Sequence, residues 1–208
     1  MEKILRLPLF TLLLFLSSIS NTIAATPATG VATVVAIRGT VIAQNPKDPA
    51  RPLTLKSQIY QNDEIKTAAN GRLQLLFTDN SIISLGGASE MKVAEYRWQP
   101  EQNDGALKTQ IKEGTFRMMG GAITKSAPQN FKTETPTATI GIRGSMYAGT
   151  VTPTTLSVIF QGGKGIDITN SFGTVAITKP GFGTHVSLNT APAPPVKFTE
   201  KELGELNK

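Results

Sequence analysis

Apolar residues between positions 31 and 188 recur at every second position far more often than at every third or fourth. A period of two places alternate side chains on opposite faces of a β-strand, whereas a helix needs a period of 3.6. Leu73, Leu75 and Phe77 show the pattern, and an Asp-Asn-Ser turn at 79–81 separates them from a second apolar run, which predicts a hairpin. We therefore predict an all-β fold of short antiparallel strands, solenoid- or sandwich-like, with a short C-terminal helix at most.

Glycine followed by threonine and a β-run recurs at Gly39, Gly114 and Gly173. The intervals are irregular, so a repeat array of fixed period is not predicted. Glycines in this pattern mark corners between short strands. Residues 96–105 are rich in turn formers instead and predict an exposed loop.

The N-terminal residues are typical of a secretory signal peptide. Lys3 and Arg6 precede an apolar run at 7–16 that is too short to span a bilayer, and Ala24 and Ala25 follow it as small residues at a cleavage site. We expect three segments: a signal peptide at 1–25, an all-β domain at 26–190, and a Pro-rich linker with a short tail at 191–208.

The C-terminal segment begins with an extended Ala-Pro-Ala-Pro-Pro stretch at 191–195. Thr199 is placed as a helix N-cap, and Glu202 follows three residues later as its capping-box partner. A short amphipathic helix is predicted there, although Gly204 and the small length make it marginal in isolation.

Composition excludes several classes of site. The chain has no cysteine, which excludes disulfides, thiolate zinc sites and a cysteine nucleophile. Its formal charge of +6 is spread thinly rather than clustered, so no nucleic-acid partner is expected. No segment after the signal peptide is apolar enough to be a transmembrane anchor of the mature chain. An exported chain of this kind is expected in the bacterial periplasm or outside the cell.

No cofactor, metal or catalytic site is predicted. His185 is the only histidine, and local spacing supplies no partners for a triad or a zinc site. Ser145 lacks the G-x-S-x-G pattern of a nucleophile elbow. Residues 162–170 resemble one calcium nonapeptide, but such repeats complete their oxygen ligands only by stacking copies, so a glycine corner entering a strand is the preferred interpretation.

The carboxylates of the chain allow an alternative interpretation, in which the protein is a hydrolase. Asp63, Glu64, Glu90 and Glu95 are available, but sugar hydrolysis needs two carboxylates that face one bond at a set distance. The competing interpretation is that they solvate strand edges and discourage aggregation.

Residues 59–150 resemble the FecR domain, an all-β periplasmic module. The similar motifs are Asn-Asp-Glu-Ile-Lys-Thr at 62–67, the hairpin at 71–85, Ile-Lys-Glu-Gly-Thr-Phe at 111–116, and residues 131–145, which align with F-x-V-x-T-P-x-A and V-x-V-R-G-T. The residues that carry the resemblance, and that we expect to be structural, are Asp63, Asp79, Ser81, Gly114, Thr135, Pro136, Ala138, Gly141, Arg143, Gly144 and Ser145.

The departures from the family pattern are mild. Asn62 and Asn80 replace glycine, Thr133 replaces valine and Ser145 replaces threonine. In the family's regulators this domain lies outside a transmembrane helix and passes a signal from an outer-membrane receptor to a cytoplasmic sigma factor. The resemblance therefore implies a sensing module, here without such a helix.

Two positions carry open alternatives. Arg143 either points inward, paired with a carboxylate or carbonyl groups, or contacts an anion or a partner. Trp98, with Tyr96 and Arg97, is either the anchor of a protein contact or folds back over the core.

The leading functional hypothesis is a non-enzymatic binding or signalling-accessory module that acts by protein–protein contact with another envelope protein. Exposed strand edges provide one route for such contact. The alternatives are a binder of cell-wall carbohydrate or polyanion, recognisable by its salt dependence, and an envelope hydrolase.

Overall fold

The computed structural model describes residues 29–46 and 48–206. The predicted signal peptide, residues 1–25, lies outside the described residues. Seventeen strands within them form one continuous hydrogen-bonded network, which β9 (Asp104–Met119) divides into two sheets. All pairings are antiparallel except that between β9 and β10 (Phe131–Glu134). The prediction of an all-β fold is confirmed.

Sheet A contains, from edge to edge, β4 (Gln58–Ile59), β1 (Ala32–Arg38), β6 (Arg72–Phe77), β7 (Ile82–Leu85), residues 114–119 of β9, β12 (Ser145–Val151), β13 (Thr155–Gly163), β16 (Phe182–Ser187) and β17 (Val196–Lys197). Sheet B contains β3 (Arg51–Pro52), β2 (Val41–Gln44), β5 (Glu64–Thr67), β8 (Glu90–Gln99), residues 104–113 of β9, β10, β11 (Thr139–Ile142), β14 (Ile166–Asn170) and β15 (Gly173–Ile177). Two short helices complete the described fold, α1 (Ile123–Ser126) and α2 (Glu200–Glu205).

The long strand β9 passes from one sheet to the other at Gly114. Residues before this glycine pair with β8 and β10, and residues after it pair with β7 and β12. Gly114 has φ +102°, and a Cβ there would lie 2.4 Å from Ser89 Cα. Only glycine fits this bend, because a side chain would meet both unfavourable backbone torsions and the neighbouring backbone.

The inward-facing side chains of both sheets form one core. Leu73, Leu75 and Phe77 are buried as their spacing predicts, while Arg72 and Gln74 between them are only partly buried. Each fully buried large apolar side chain contributes about 1.5–3 kcal/mol. The largest members come from both sheets, and they include Phe77, Tyr147 and Phe160 of sheet A and Ile65, Met91 and Phe131 of sheet B.

The predicted loop at residues 96–105 is mostly strand. Strand β8 continues through Gln99, β9 begins at Asp104, and a 3-10 turn at Pro100–Gln102 connects them. Tyr96, Arg97, Trp98 and Gln99 each have a cross-strand partner, so the turn-forming residues make only the tip of a hairpin.

The C-terminal segment packs against sheet A. The N–H of Ala193 donates to the carbonyl oxygen of His185 at 3.1 Å, and β17 extends the same edge. The short helix predicted from the capping box is confirmed as α2, in which Thr199 and Glu202 make both reciprocal bonds. Phe198 is buried against Ala148 and Ile159 on the outer face of sheet A, with Leu203 and Leu206 packed beside them.

Candidate functional site

Asp63 is fully buried and is held by a cluster of donors. The Arg51 guanidinium binds both of its carboxylate oxygens, and the Tyr60 N–H donates to Oδ2 at 2.9 Å. The hydrogen bond with Asp63 raises the pKa of Arg51, and Arg51 also lies over the Tyr60 ring at 5.2 Å. A buried charge needs such pairing, so this geometry fixes the turn between β4 and β5.

Asp79 organises the turn between β6 and β7. Its carboxylate accepts from the Ser81 N–H at 3.1 Å and from the Ser81 hydroxyl at 2.7 Å. The N–H of Ile123 in α1 also reaches Asp79 at 3.3 Å. The Tyr96 hydroxyl accepts from the Asp79 N–H at 2.9 Å. Asp79, Ser81 and Tyr96 are therefore held inside the fold by one hydrogen-bond network.

The Thr-Pro-x-Ala motif closes the turn between β10 and β11. The Thr135 hydroxyl donates to the carbonyl of Ala138 at 2.8 Å and accepts from its N–H at 3.1 Å. Pro136 lies within this turn, where its missing N–H leaves no sheet bond unmade.

The Ile-Gly-Ile-Arg-Gly stretch at 140–144 runs from β11 into β12 without a following helix. Gly144 has φ +66°, which favours glycine. The Ser145 hydroxyl is buried, donates to the Gly165 carbonyl at 2.8 Å and accepts from the Gly165 N–H at 3.0 Å. The stretch is thus a tight connection between two β-strands.

Arg143 points outward, and its side chain is 57% exposed. Its Nε and Nη2 atoms donate to Asp167 at 2.9 Å and 2.7–3.0 Å. Both Asp167 oxygens are engaged by this pair, so the carboxylate of the calcium-like nonapeptide faces a guanidinium. The inward orientation considered for Arg143 is not observed, whereas a carboxylate partner is.

The three candidate contact residues on β8 have different environments. Tyr96 is buried beside Phe77, with ring centroids 5.3 Å apart. Arg97 is exposed and pairs with Asp104 across the hairpin. Trp98 is half-buried and packs against the core. Of the three, Arg97 has the most accessible side chain.

Glu64 and Glu90 come together on the outer face of sheet B, where Lys112 pairs with both. The hydrogen bond shared with Glu64, and those from Lys112 and Lys66, lower the pKa of Glu90 to about 2. A general acid at a glycosidic bond needs a raised pKa, so this direction does not favour the hydrolase reading.

Sequence reasoning missed a Ser-His-Glu chain on the outer face of sheet A. His185 Nδ1 lies 2.8 Å from the Ser157 hydroxyl, and Nε2 lies 3.2 Å from Glu202. The imidazole also stacks on Phe198 at 5.1 Å. These residues are far apart in sequence, and only the register of β13 with β16 and the fold-back of α2 bring them together.

This chain of residues lacks the other parts of a hydrolase site. Ser157 lies within β13, opposite Thr150 on one side and His185 on the other. The neighbouring backbone N–H groups are used by the sheet, so they do not form an oxyanion hole. Glu202 also accepts hydrogen bonds from the N–H and the hydroxyl of Thr199. The cluster therefore holds α2 against sheet A.

Strand β15 forms an open edge of sheet B. Within the described residues it pairs only with β14, and Asn170 and Gly173 close the two-residue turn between them. Ladder bonds then fall on alternate residues, so the backbone N–H and C=O groups of Thr174 and Ala176 face outward. Both side chains are small and exposed.

The other sheet ends are shorter or blocked. Strand β3 contains Pro52, and β4 and β17 are two residues long. Proline and short length both prevent strand addition. Beside β15, Phe172 is 56% exposed and Leu188 is 47% exposed, and both line a groove of about 270 Å³ that also contains the Thr135–Ala138 turn.

The described residues offer neither a metal-binding cluster nor a membrane-spanning helix. No three His, Cys, Asp or Glu side chains lie close enough together there to hold a metal ion. Neither of the helices in that part of the chain is long and apolar enough to cross a membrane.

The comparisons with known proteins agree with the motif positions. Residues 63–163 match the family model described as FecR protein. This part of the chain is thus similar to the FecR domain. The matched region begins at the buried Asp63 and extends into β13, slightly beyond the motif-bearing region expected from sequence. No curated protein matches the chain.

Two solved structures share the fold of a large part of this chain. Both are crystal structures of a putative anti-sigma factor from Parabacteroides distasonis ATCC 8503, at 12% identity and with TM-scores of 0.52 and 0.53. The alignment covers 68% of this chain and 62% of theirs, so the chain spans less than two thirds of the length of those structures. At 12% sequence identity, the structural similarity establishes a shared fold.

Proposed function

We propose that this FecR-domain chain is an exported, non-enzymatic module that binds another protein of the bacterial cell envelope in a signalling pathway. Residues 1–25 serve as the signal peptide, 26–190 as the binding domain and 191–208 as the linker and tail. The FecR match supports the signalling role, as does the fold shared with the putative anti-sigma factor of Parabacteroides distasonis.

The observation that carries the proposal is the open edge at β15. Thr174 and Ala176 present four backbone hydrogen-bonding groups in a row, and no proline or lysine within the strand protects them. An extended partner segment can add as a further strand, so that backbone bonds give affinity. Recognition by strand addition requires neither a catalytic motif nor a cofactor-binding motif in the sequence.

Specificity comes from the end of the same edge. Phe172 lies at the tip of the hairpin that β15 closes, and the groove it shares with Leu188 is adjacent. An apolar side chain of the added strand fits against this pair, and the family motif turn at Thr135 lines the same groove.

A single backbone change tests the proposal. Thr174→Pro removes an N–H that faces the free edge, whereas Thr174→Val keeps that N–H and changes the side chain by little. Each variant and the parent chain are immobilised and exposed to envelope extract of the source cell, with washes at low and high salt. The proposal expects a defined protein that survives the high-salt wash on the parent and on Thr174→Val, but is lost on Thr174→Pro.

Four outcomes would overturn this assignment. Equal retention by Thr174→Pro would remove the β15 edge from recognition, and loss on Trp98→Ala alone would place the contact on β8. Capture of wall polymer only at low salt would indicate polyanion binding, since such attraction is screened by salt. Hydrolysis of a wall substrate that is lost on changing Glu90 or Glu95 would indicate an enzyme. Circular dichroism of each variant confirms that it is folded.

A further inference from the structure

The free edge of β15 carries no charge. The strand comprises Gly173–Ile177, and the flanking Phe172 and Thr178 are uncharged as well. Sheet edges in natural proteins are protected from pairing with another chain by charged side chains, proline, bulges or a covering segment. Within the part of the chain that the structure describes, none of these protects Thr174 and Ala176, whose side chains are exposed and whose outward backbone groups bond to no other segment.

The outward-facing backbone groups of β15 are complementary to themselves. Thr174 and Ala176 each present one N–H and one C=O toward the edge. When two copies of β15 lie antiparallel about a two-fold axis at Val175, Thr174 of each copy faces Ala176 of the other, and each of these pairs exchanges both of its hydrogen bonds. A shift of the register by two residues in either direction leaves only one such pair within the strands. A single register therefore uses every free group of both edges.

The side chains of β15 also match in this register. Val175, which is half-buried and packs against the core, lies directly opposite its own copy in a pair without hydrogen bonds, where side chains are closest. β-branched side chains pack well against such neighbours. Gly173 faces Ile177 of the second copy, so the larger side chain meets the residue that has none. No like charges meet, because β15 contains no charged residue.

We propose that the β15 edge pairs with the β15 edge of a second copy of this chain, so that sheet B continues through a symmetric dimer. The inference goes beyond the proposed function because it requires only this chain. It also regulates the same site: a copy that is paired in the dimer has no free β15 edge, so an envelope partner must displace the second copy. The dimer thereby protects an edge that would otherwise remain open to unspecific strand pairing.

The arrangement closes at two copies. Among the described strands, the other sheet ends are poor edges, because β3 contains Pro52 and because β4 and β17 are two residues long. A two-fold axis uses the same edge of both copies and leaves no second edge for growth. The proposal therefore expects a dimer rather than a fibre or a larger oligomer.

A reciprocal change of charge tests the pairing on the purified full chain. Thr174→Lys combined with Ala176→Lys keeps both backbone N–H groups but places lysine opposite lysine at both pairs. Thr174→Glu combined with Ala176→Glu does the same with glutamate. Each double variant is expected to weaken self-association by about tenfold in sedimentation equilibrium, since like charges directly opposite are unfavourable. An equimolar mixture of the two is expected to restore the dimer, because lysine then meets glutamate.

A control variant separates this effect from a change in overall charge. Val35→Lys combined with Leu55→Lys adds the same charge at exposed apolar residues that lie outside β15. This variant is expected to self-associate like the parent. Circular dichroism confirms that each variant is folded.

Cysteine variants report the register, because the chain contains no native cysteine. Thr174→Cys mixed with Ala176→Cys is expected to form a disulfide between the copies under mild oxidation, since these positions lie directly opposite each other. Either variant alone is expected to cross-link about tenfold less, because identical residues lie diagonally at about 7–8 Å, beyond the usual reach of a disulfide.

Three results would each overturn the dimer. The parent chain could sediment as a monomer up to its solubility limit, the mixture of lysine and glutamate variants could remain monomeric, or each cysteine variant could cross-link as well alone as in the mixture. A monomeric parent that still captures an envelope protein would refute the dimer alone. A dimer that captures no envelope protein would refute only the proposed envelope partner.

Discussion

The hydroxyl oxygens of Thr133 and Tyr147 lie 2.7 Å apart and join the two sheets inside the core. Thr133 belongs to β10 of sheet B, and Tyr147 belongs to β12 of sheet A. The Thr133 hydroxyl also lies 3.1 Å from that of Thr109. Burial raises the pKa of Tyr147, whose hydroxyl depends on Thr133 for its hydrogen bond.

Thr133→Val is expected to lower the free energy of unfolding by about 1–3 kcal/mol, because it leaves the Tyr147 hydroxyl buried without a partner. Tyr147→Phe should cost less, since Thr133 and Thr109 still bond to each other. Urea denaturation of both variants and of the double variant gives the coupling between the two positions. On the Tyr147→Phe background, Thr133→Val should have a reduced effect; additive costs would contradict this assignment.

Two glycines of the same family motif are expected to respond differently to alanine. Gly144 has φ +66°, whereas Gly141 is in β11 and a Cβ there would approach nothing closer than 3.8 Å. Gly144→Ala should therefore cost about 1–2 kcal/mol through backbone strain. Gly141→Ala, its matched control, should be nearly neutral in thermal denaturation. Equal costs would show that something other than φ requires these glycines.

Stability is expected to fall at alkaline pH because of Tyr96. Burial raises the pKa of Tyr96 to about 12, above the ordinary tyrosine value of about 10. The unfolded chain therefore loses this proton first, and the contribution of Tyr96 is complete below about pH 10 and is lost as the pH rises toward 12. Across this window, Tyr96→Phe should make the pH dependence of unfolding shallower by about 1.4 kcal/mol per pH unit. Parallel curves would contradict the prediction.

Helix α2 is expected to detach from sheet A in acid. Hydrogen bonds from the Thr199 side chain and backbone, with His185 adding a smaller effect, lower the pKa of Glu202. The helix contact is then fully present above the ordinary glutamate pKa and is lost as the pH falls through the lowered value. Methyl signals of Leu203 and Leu206 should move together during this titration. In the Glu202→Gln variant, these methyl signals should already lie at their low-pH positions at neutral pH. In the Glu200→Gln variant, they should titrate as in the parent.

Sequence patterns predicted the elements better than their pairing. The alternation of Leu73, Leu75 and Phe77 identifies a strand because burial of one face acts on every second residue. At residues 96–99 the nearby turn formers obscured the strand, since cross-strand partners on β9 decide its length. The outward direction of Arg143 likewise depends on Asp167, which is close only through the pairing of β11 with β14.

The candidate surfaces depend on long-range organisation for the same reason. Nothing local distinguishes Thr174 and Ala176 from residues of an interior strand until β15 is known to end its sheet. Ser157, His185 and Glu202 also required the tertiary fold to bring them together.

The passage of β9 through both sheets has a consequence for how the chain assembles during synthesis. Its partners β7 and β8 precede it, whereas β10 and β12 follow it, so the first half of each sheet can pair before the second half has been made. In a chain that ends at Met119, β9 would be an exposed edge strand of both sheets. Folding of the chain through β10 and β12 would then cover both of these edges.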